Sequence, residues 1–338
     1  MKLFKDNAPS CRHLKGMEII ALEEHFRNAA IEKAIEKVIP PGLSDLLYGP
    51  GSHLQDLGTD RLKQMDAMGI NTQVLSYASP GTQVLSAAEA VPLARDANDQ
   101  LAAAIAAHPG RFTGFATLPT PEPQAAAAEL ERAVHQLGFK GAMINGRTHD
   151  RFLDDSRFSP ILEAAETLDV PLYLHPTWPS KAVQDDYYSG FDHATSAWFA
   201  SAGWGWHMET GIHALRMILA GIFDRYPRLQ VILGHWGEMI PFYLARLEQL
   251  HQFKHLKRRI SDYFLQNFYV TPSGLYTYPP FLLTLQTIGA DRVMYSVDYP
   301  YVIDEQARTF LENAPISPAD KEKIAHGNAE KVLKISLK

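Results

Sequence analysis

The chain has one cysteine, Cys11, in 338 residues. That excludes an intrachain disulfide and any thiolate-rich metal cluster, and it makes a reducing cytoplasm the simplest expected compartment. Long hydrophobic runs are missing as well: none approaches the ~20 apolar residues that span a bilayer. The first sixteen residues are polar and charged and lack the apolar core of a secretory signal, so a flexible extension is expected over 1–16. Charge is nearly balanced at a net −6, and the one compact basic run is Lys254–Arg259. It reads as a solvated helix face rather than a nucleic-acid site. No G-x-G-x-x-G follows the first apolar run, which weakens a dinucleotide-binding version of an α/β fold.

What is present fits a globular protein, with 46% apolar and 21% charged residues. Fourteen histidines beside one cysteine direct any metal towards nitrogen and oxygen ligands, which suit zinc, manganese or iron. Short apolar or β-branched runs recur at 17–25, 70–78, 111–118, 139–145, 170–175, 229–235, 267–273 and 292–298. Helical patterns lie between them, as in PEPQAAAAELERAVHQLG over 121–138, with proline near its start and glycine past its end. Further helical patterns run over 211–227 and 317–335. Eight strand–helix repeats imply parallel strands joined by crossover helices, and eight is the number that closes a (β/α)₈ barrel. An open doubly wound sheet is the rival arrangement. A single barrel domain over 17–338 is expected.

Two connections are too long to be simple turns. Residues 27–58 follow the first strand, and 176–208 follow the fifth. The second carries Trp178, Tyr187, Tyr188, Phe191, Trp198, Phe199, Trp204 and Trp206. Both belong at the carboxyl face of a barrel, where active sites form. An aromatic roof suits a flat substrate, and it equally suits a contact between subunits.

The strand ends concentrate ionisable groups. The first strand ends Glu23-Glu24-His25, the fifth at His175, the sixth at His235 with Glu238 three residues on, and the last at Asp298. One histidine at a strand end is ordinarily a satisfied polar residue. Four strand ends bearing imidazole or carboxylate, all at the carboxyl end, would be gathered around one axis by a closed barrel. Glu23 and His25, two apart, share one side of an extended strand, and Glu24 takes the other. Glu23, His25, His175 and Asp298 make a plausible ligand set for one divalent ion. If a helix begins at 235, Glu238 lies beneath His235 and can fix its tautomer, or else Glu238 caps that helix.

The segments ALEEHF, VPLYLHP, LQVILGHWGE, NFYVTPSG and ADRVMYSVDYPY together resemble the amidohydrolase-related metal-dependent decarboxylases. Members such as the γ-resorcylate and 2,3-dihydroxybenzoate decarboxylases are the nearest. The resemblance runs in order from about residue 17 to the C-terminus. It implies a (β/α)₈ barrel, one divalent metal (zinc or manganese) and non-oxidative loss of CO₂ from a hydroxybenzoate. By position it implies metal ligation by Glu23, His25, His175 and Asp298, with His235 and Glu238 as the catalytic pair beside them. Asn145, Tyr301 and Arg246 fall at substrate-contacting positions. Some members carry alanine where this chain has His25. The resemblance also implies a homodimer or homotetramer.

Glu23 stands where the wider hydrolase group has an imidazole. Two carboxylates neutralise a divalent cation, so its water is acidified less than at an all-imidazole site. The site is then suited to gripping a chelating substrate, such as the carboxylate and phenol oxygens of an ortho-hydroxybenzoate. By the same resemblance, Asp298 is expected to protonate the ring carbon. The alternatives are a metal-dependent hydrolase of a lactone or amide that uses the same site, and a catalytically silent barrel used for binding.

Overall fold

The apolar runs become parallel strands in the expected order. The protein's structure is a computed structural model that describes residues 16–38, 51–253 and 256–337. Residues 1–15 of the expected extension, 39–50 and the first two residues of the basic run lie outside the described residues. The strands are β1 (Ile20–Phe26), β2 (Thr72–Tyr77), β3 (Phe112–Gly114), β4 (Ala116–Thr117), β5 (Ala142–Asn145), β6 (Leu172–His175), β7 (Val231–Leu233), β8 (Phe268–Val270) and β9 (Tyr295–Ser296). β3 and β4 form one barrel strand interrupted at Phe115, whose N–H donates to Leu75 O, while Ala116 N–H donates to Gly141 O, both at 2.8 Å.

Every strand pairing is parallel. β9 returns to pair with β1, and a Val270–Val293 bridge joins it to β8, so the sheet closes into an eight-stranded barrel. The open-sheet rival is excluded. Alternate side chains of the strands fill the interior: Ile20, Leu22, Val74, Phe115, Met143, Tyr173, Ile232, Tyr269 and Met294. Ala329 and Leu333 of the C-terminal helix Asn328–Leu333 join the same cluster. That helix plugs the amino-terminal mouth and leaves the carboxyl face for chemistry. A larger core lies between the strands and the surrounding helices.

The helix expected over 121–138 runs from Pro123 to Leu137, with proline in its first turn and Gly138 left-handed at its end (φ 75°). Both long connections contain helices. After β1 comes the helix Ala29–Ile35 and a 3₁₀ turn over Gly51–Leu54. After β6 comes a π turn over Gln184–Tyr188 and the helix His193–Ala200, with the helix Gly205–Leu219 beginning inside the same segment. The aromatics that read as a loop therefore sit largely on helical turns. Among the described residues, no helix is long and apolar enough to cross a membrane.

β1 departs from simple alternation. Ile20 and Leu22 point into the barrel, so strict period-two alternation would send Glu24 inward and Glu23 outward. The β1–β2 register instead slips by one residue between Ala21 and Glu24, and Glu23 adopts a left-handed conformation (φ 61°). One extra residue reverses the phase. Glu23 and His25 are turned inward by this bulge, not by uninterrupted alternation.

Candidate metal centre

One donor atom from each of Glu23, His25, His175 and Asp298 lies within 4.8 Å of the others. That is close to twice an ordinary ligand distance of about 2.0–2.2 Å, the span of a single coordination shell. His175 stands at the end of β6 beside Asn145 on β5. Its Nδ1 lies 2.8 Å from the Pro176 carbonyl, which can only accept, so Nδ1 is protonated and Nε2 is left as a lone-pair donor. Nε2 lies 3.5 Å from Glu23 Oε1. His25 Nε2 lies 3.2 Å from Asp298 Oδ1.

The hydrogen bonding separates the two oxygens of Glu23. Oε2 accepts from the hydroxyls of Tyr173 and Ser273. Tyr173 and Thr271 hydroxyls in turn lie 2.7 Å apart. Among the described residues, Glu23 Oε1 and both ring nitrogens of His25 are buried without a hydrogen-bond partner. Buried polar atoms of this kind ordinarily find partners. Here Glu23 Oε1 and one ring nitrogen of His25 belong to the cluster whose donor atoms lie within 4.8 Å of one another, as ligands of a shared cation do.

The electrostatics agree. Burial pushes the Glu23 carboxyl up to about 7, against the lowering effect of His235. Burial likewise pushes Asp298 up to about 7, against His235 and His207. Burial drives His25 down to about 3, helped by the charges of Arg27 and Arg61, and it drives His175 well below its ordinary value. Both imidazoles are therefore neutral, the form that ligates. Two carboxylates in a largely buried site with two neutral imidazoles fit a divalent cation.

Glu24 takes the opposite side, as its neighbours require. Its carboxylate accepts from Val297 N–H at 2.8 Å and from Gln73 at 2.9 Å. Arg61 lies against the same group, donating to Gln73 Oε1 at 3.2 Å and stacking over the Tyr299 ring. Glu24 thus ties β1 to the strand that delivers Asp298.

His235 and Glu238 do meet, with Nδ1 and Oε1 2.8 Å apart, but not along an α-helix. His235, Trp236, Gly237, Glu238 and Met239 are all left-handed, with φ between 48° and 84°. The regular helix starts only at Ile240, with Pro241 in its first turn. Helical spacing and helix capping are both corrected by this left-handed turn. It is fastened by Trp236 N–H to Thr271 O at 2.9 Å and Trp236 Nε1–H to Leu275 O at 2.7 Å. Burial would lower the His235 pKa, but Glu238, Glu23 and Asp298 together raise it to about 9. Burial would raise Glu238, yet His235 and His207 hold it below its ordinary range. The pair is an ion pair.

The remaining expected residues are spread more widely. Asn145 is buried, with Nδ2 donating to Tyr77 O at 3.3 Å and Oδ1 without a partner among the described residues. The Tyr301 ring packs edge-on to His25 at 5.6 Å and its hydroxyl accepts from Arg27 at 3.3 Å. Arg246 is exposed on the helix Ile240–Leu247 and donates to Gln249, so it does not join the cluster. Sequence reasoning missed Tyr173, which shares its strand face with His175 in YLH. It also missed His207, and it singled out Trp206 only as part of a roof. The Trp206 ring lies 6.4 Å from His175 and 5.0 Å from Trp178.

Comparison with known proteins bears on this geometry. The amidohydrolase family profile matches residues 57–335. The γ-resorcylate decarboxylase of Polaromonas sp. strain JS666 is 38% identical over 94% of this chain and 98% of its own. The crystal structure of 5-carboxyvanillate decarboxylase from Sphingomonas paucimobilis has a TM-score of 0.88 at 35% identity, covering 95% of this chain and all of that one. A dihydroxybenzoic acid decarboxylase from Polaromonas sp. JS666, solved with manganese and the inhibitor 2-nitroresorcinol, has a TM-score of 0.83. It is 37% identical and covers 94% of this chain and 97% of that one.

Proposed function

The chain belongs to the amidohydrolase family, and on that premise we propose that it is a metal-dependent, non-oxidative decarboxylase of an ortho-hydroxybenzoate. The observation that carries this reading is the convergence of Glu23, His25, His175 and Asp298, with Glu23 Oε1 and the His25 ring nitrogens buried without a hydrogen-bond partner among the described residues. These four residues would hold one divalent cation, and the manganese of the Polaromonas structure favours that ion over zinc. When bound, the cation supplies positive charge that holds and neutralises the substrate's carboxylate and phenol oxygens.

The chain's own groups do the rest. Asp298 carries the proton to the ring carbon bearing the carboxylate, and that carbon becomes tetrahedral. The bond to the carboxylate then breaks, its electron pair restores the aromatic ring, and CO₂ leaves. His235, kept cationic by Glu238 and within electrostatic reach of Asp298 and Glu23, steadies negative charge in the ring. Asn145 and Tyr301 flank the two imidazole ligands and are assigned to the substrate ring and its substituents. Trp178 and Trp206 exclude water beside His175.

A cytoplasmic homodimer or homotetramer belongs to the same reading. Exposed Phe191, Trp198 and Trp204 on the segment after β6 support an assembly, which sedimentation tests. For the activity, manganese-loaded protein is mixed with a panel of hydroxybenzoates and released CO₂ is measured. Turnover is expected, and Asp298→Asn should lower it by about 10²–10⁴-fold, as removal of a general acid does. Activity within tenfold of wild type would reject Asp298 as the donor. No CO₂, with cleavage of lactones or anilides instead, would reject decarboxylation.

A further inference from the structure

Glu238 is shared between two imidazoles. His235 Nδ1 lies 2.8 Å from Oε1, and His207 Nδ1 lies 2.9 Å from Oε2. The two rings meet edge to face, 4.4 Å apart. His207 Nε2 lies 3.0 Å from the carbonyl of Ala202. A carbonyl and an ionised carboxylate can each only accept, so both nitrogens of His207 face acceptors, and Nδ1 is the one that meets Glu238.

The helix Gly205–Leu219 makes this contact possible. Gly211, one turn beyond His207 and on the same face, presses against the backbone of Glu238, where a Cβ would come within 2.8 Å of the carbonyl oxygen. Only glycine lets the helix approach so closely. His207 therefore links the aromatic segment, through Ala202, to the carboxylate that orients His235.

We propose that His207 is a positioning residue for the reaction, one that occupies Glu238 Oε2 and so confines Oε1 to His235. The proposal rests on the decarboxylase reading for its consequence, but not for its geometry. With Oε2 claimed by His207, Glu238 cannot rotate to share both oxygens with His235, and His235 Nδ1 keeps one direction. His207 itself makes no hydrogen bond, ion pair or ring contact with Glu23, His25, His175 or Asp298 among the described residues, so it acts through Glu238.

The test combines two substitutions with a spectroscopic readout. His207→Phe keeps an aromatic ring and removes both nitrogens, whereas His207→Asn keeps a donor near the position of Nδ1. With the manganese-loaded enzyme, His207→Phe should lower kcat by roughly 10–100-fold, the usual cost of losing such support, with KM within about threefold. His207→Asn should recover a substantial part of that loss. Nitrogen-15 spectra of histidine-labelled wild type, assigned by the signals lost in His207→Phe, should show Nδ1 of His207 bearing a hydrogen-bonded proton. A bare Nδ1 on His207 would overturn the proposal, as would equal activity in all three proteins. Two bound manganese ions in wild type falling to one in His207→Phe would also overturn it, by making the trio a metal site. If wild type releases no CO₂ from any hydroxybenzoate, the decarboxylase reading fails, and the nitrogen spectra still decide the state of His207.

Discussion

Tyr173 shows how one buried hydroxyl can set the chemistry of a carboxylate. Together with Ser273 it engages Glu23 Oε2, so only Oε1 is left towards the cluster. Without those donors the carboxylate is free to turn, and its favoured direction is lost. Tyr173→Phe removes the hydroxyl and leaves the ring in the barrel interior. It should weaken manganese binding by about 10–100-fold, as loss of an outer hydrogen bond to a ligand commonly does. Competition against a chelator measures this, and unchanged affinity would show that Ser273 alone fixes Glu23. Much at this scale was legible in the sequence, because Glu23, His25, His175 and Asp298 each close an apolar run. His207 was not, since it sits in a helix, at no strand end, and its role depends on a carboxylate thirty-one residues away. Arg246 was placed by resemblance alone, and in this chain it is exposed on the helix Ile240–Leu247, away from the four-residue cluster.

The elements carry two left-handed devices that no periodic pattern announces. The bulge in β1 costs one residue of register and turns Glu23 inward. The turn from His235 to Met239 places five consecutive residues at positive φ, four of them not glycine, in a conformation that costs of order 1 kcal/mol or more each. Such backbone persists only where neighbours over-determine it, and it concentrates where side chains must be aimed. Gly237 is the residue in that turn without a Cβ, at φ 84°, and a Cβ there would lie 3.0 Å from Val270 and 3.1 Å from Pro241. Gly237→Ala should therefore destabilise the protein by about 1–3 kcal/mol in urea and reduce turnover further by moving His235. A neutral effect on both would mean that the turn is not rigid. The strands were legible because buried parallel strands need continuous apolar runs, whichever way their ends are bent. The segment 176–208 was legible only as a long connection, because its short helices are rich in aromatics and lack a clean apolar stripe.

On the scale of the whole molecule, the barrel divides labour between its two ends. The C-terminal helix fills the amino-terminal mouth, and the ligand cluster of Glu23, His25, His175 and Asp298 sits at the other end. Stability away from the site also depends on buried histidine. His213, on the helix Gly205–Leu219, accepts from Leu153 N–H at 3.0 Å, and burial pushes it down to about 3, helped by Arg216 and Arg147. Because the folded value lies below the unfolded one of about 6.5, acid favours the unfolded state. The stabilisation is complete above pH 6.5 and is lost as pH falls towards 3. The stability gap between wild type and His213→Phe should then shift against wild type by about 1.4 kcal/mol per pH unit below 6. A gap independent of pH between 7.5 and 5 would contradict it.

At the centre of this reading, three separate strand ends enclose one cation able to hold a flat aromatic acid. Anomalous diffraction from crystals of the manganese-loaded protein soaked with a hydroxybenzoate tests it most directly. The account predicts one strong peak bounded by Glu23, His25, His175 and Asp298, with the acid's carboxylate and phenol oxygens beside it. A peak at His207, His235 and Glu238 instead, or none at all, would contradict it.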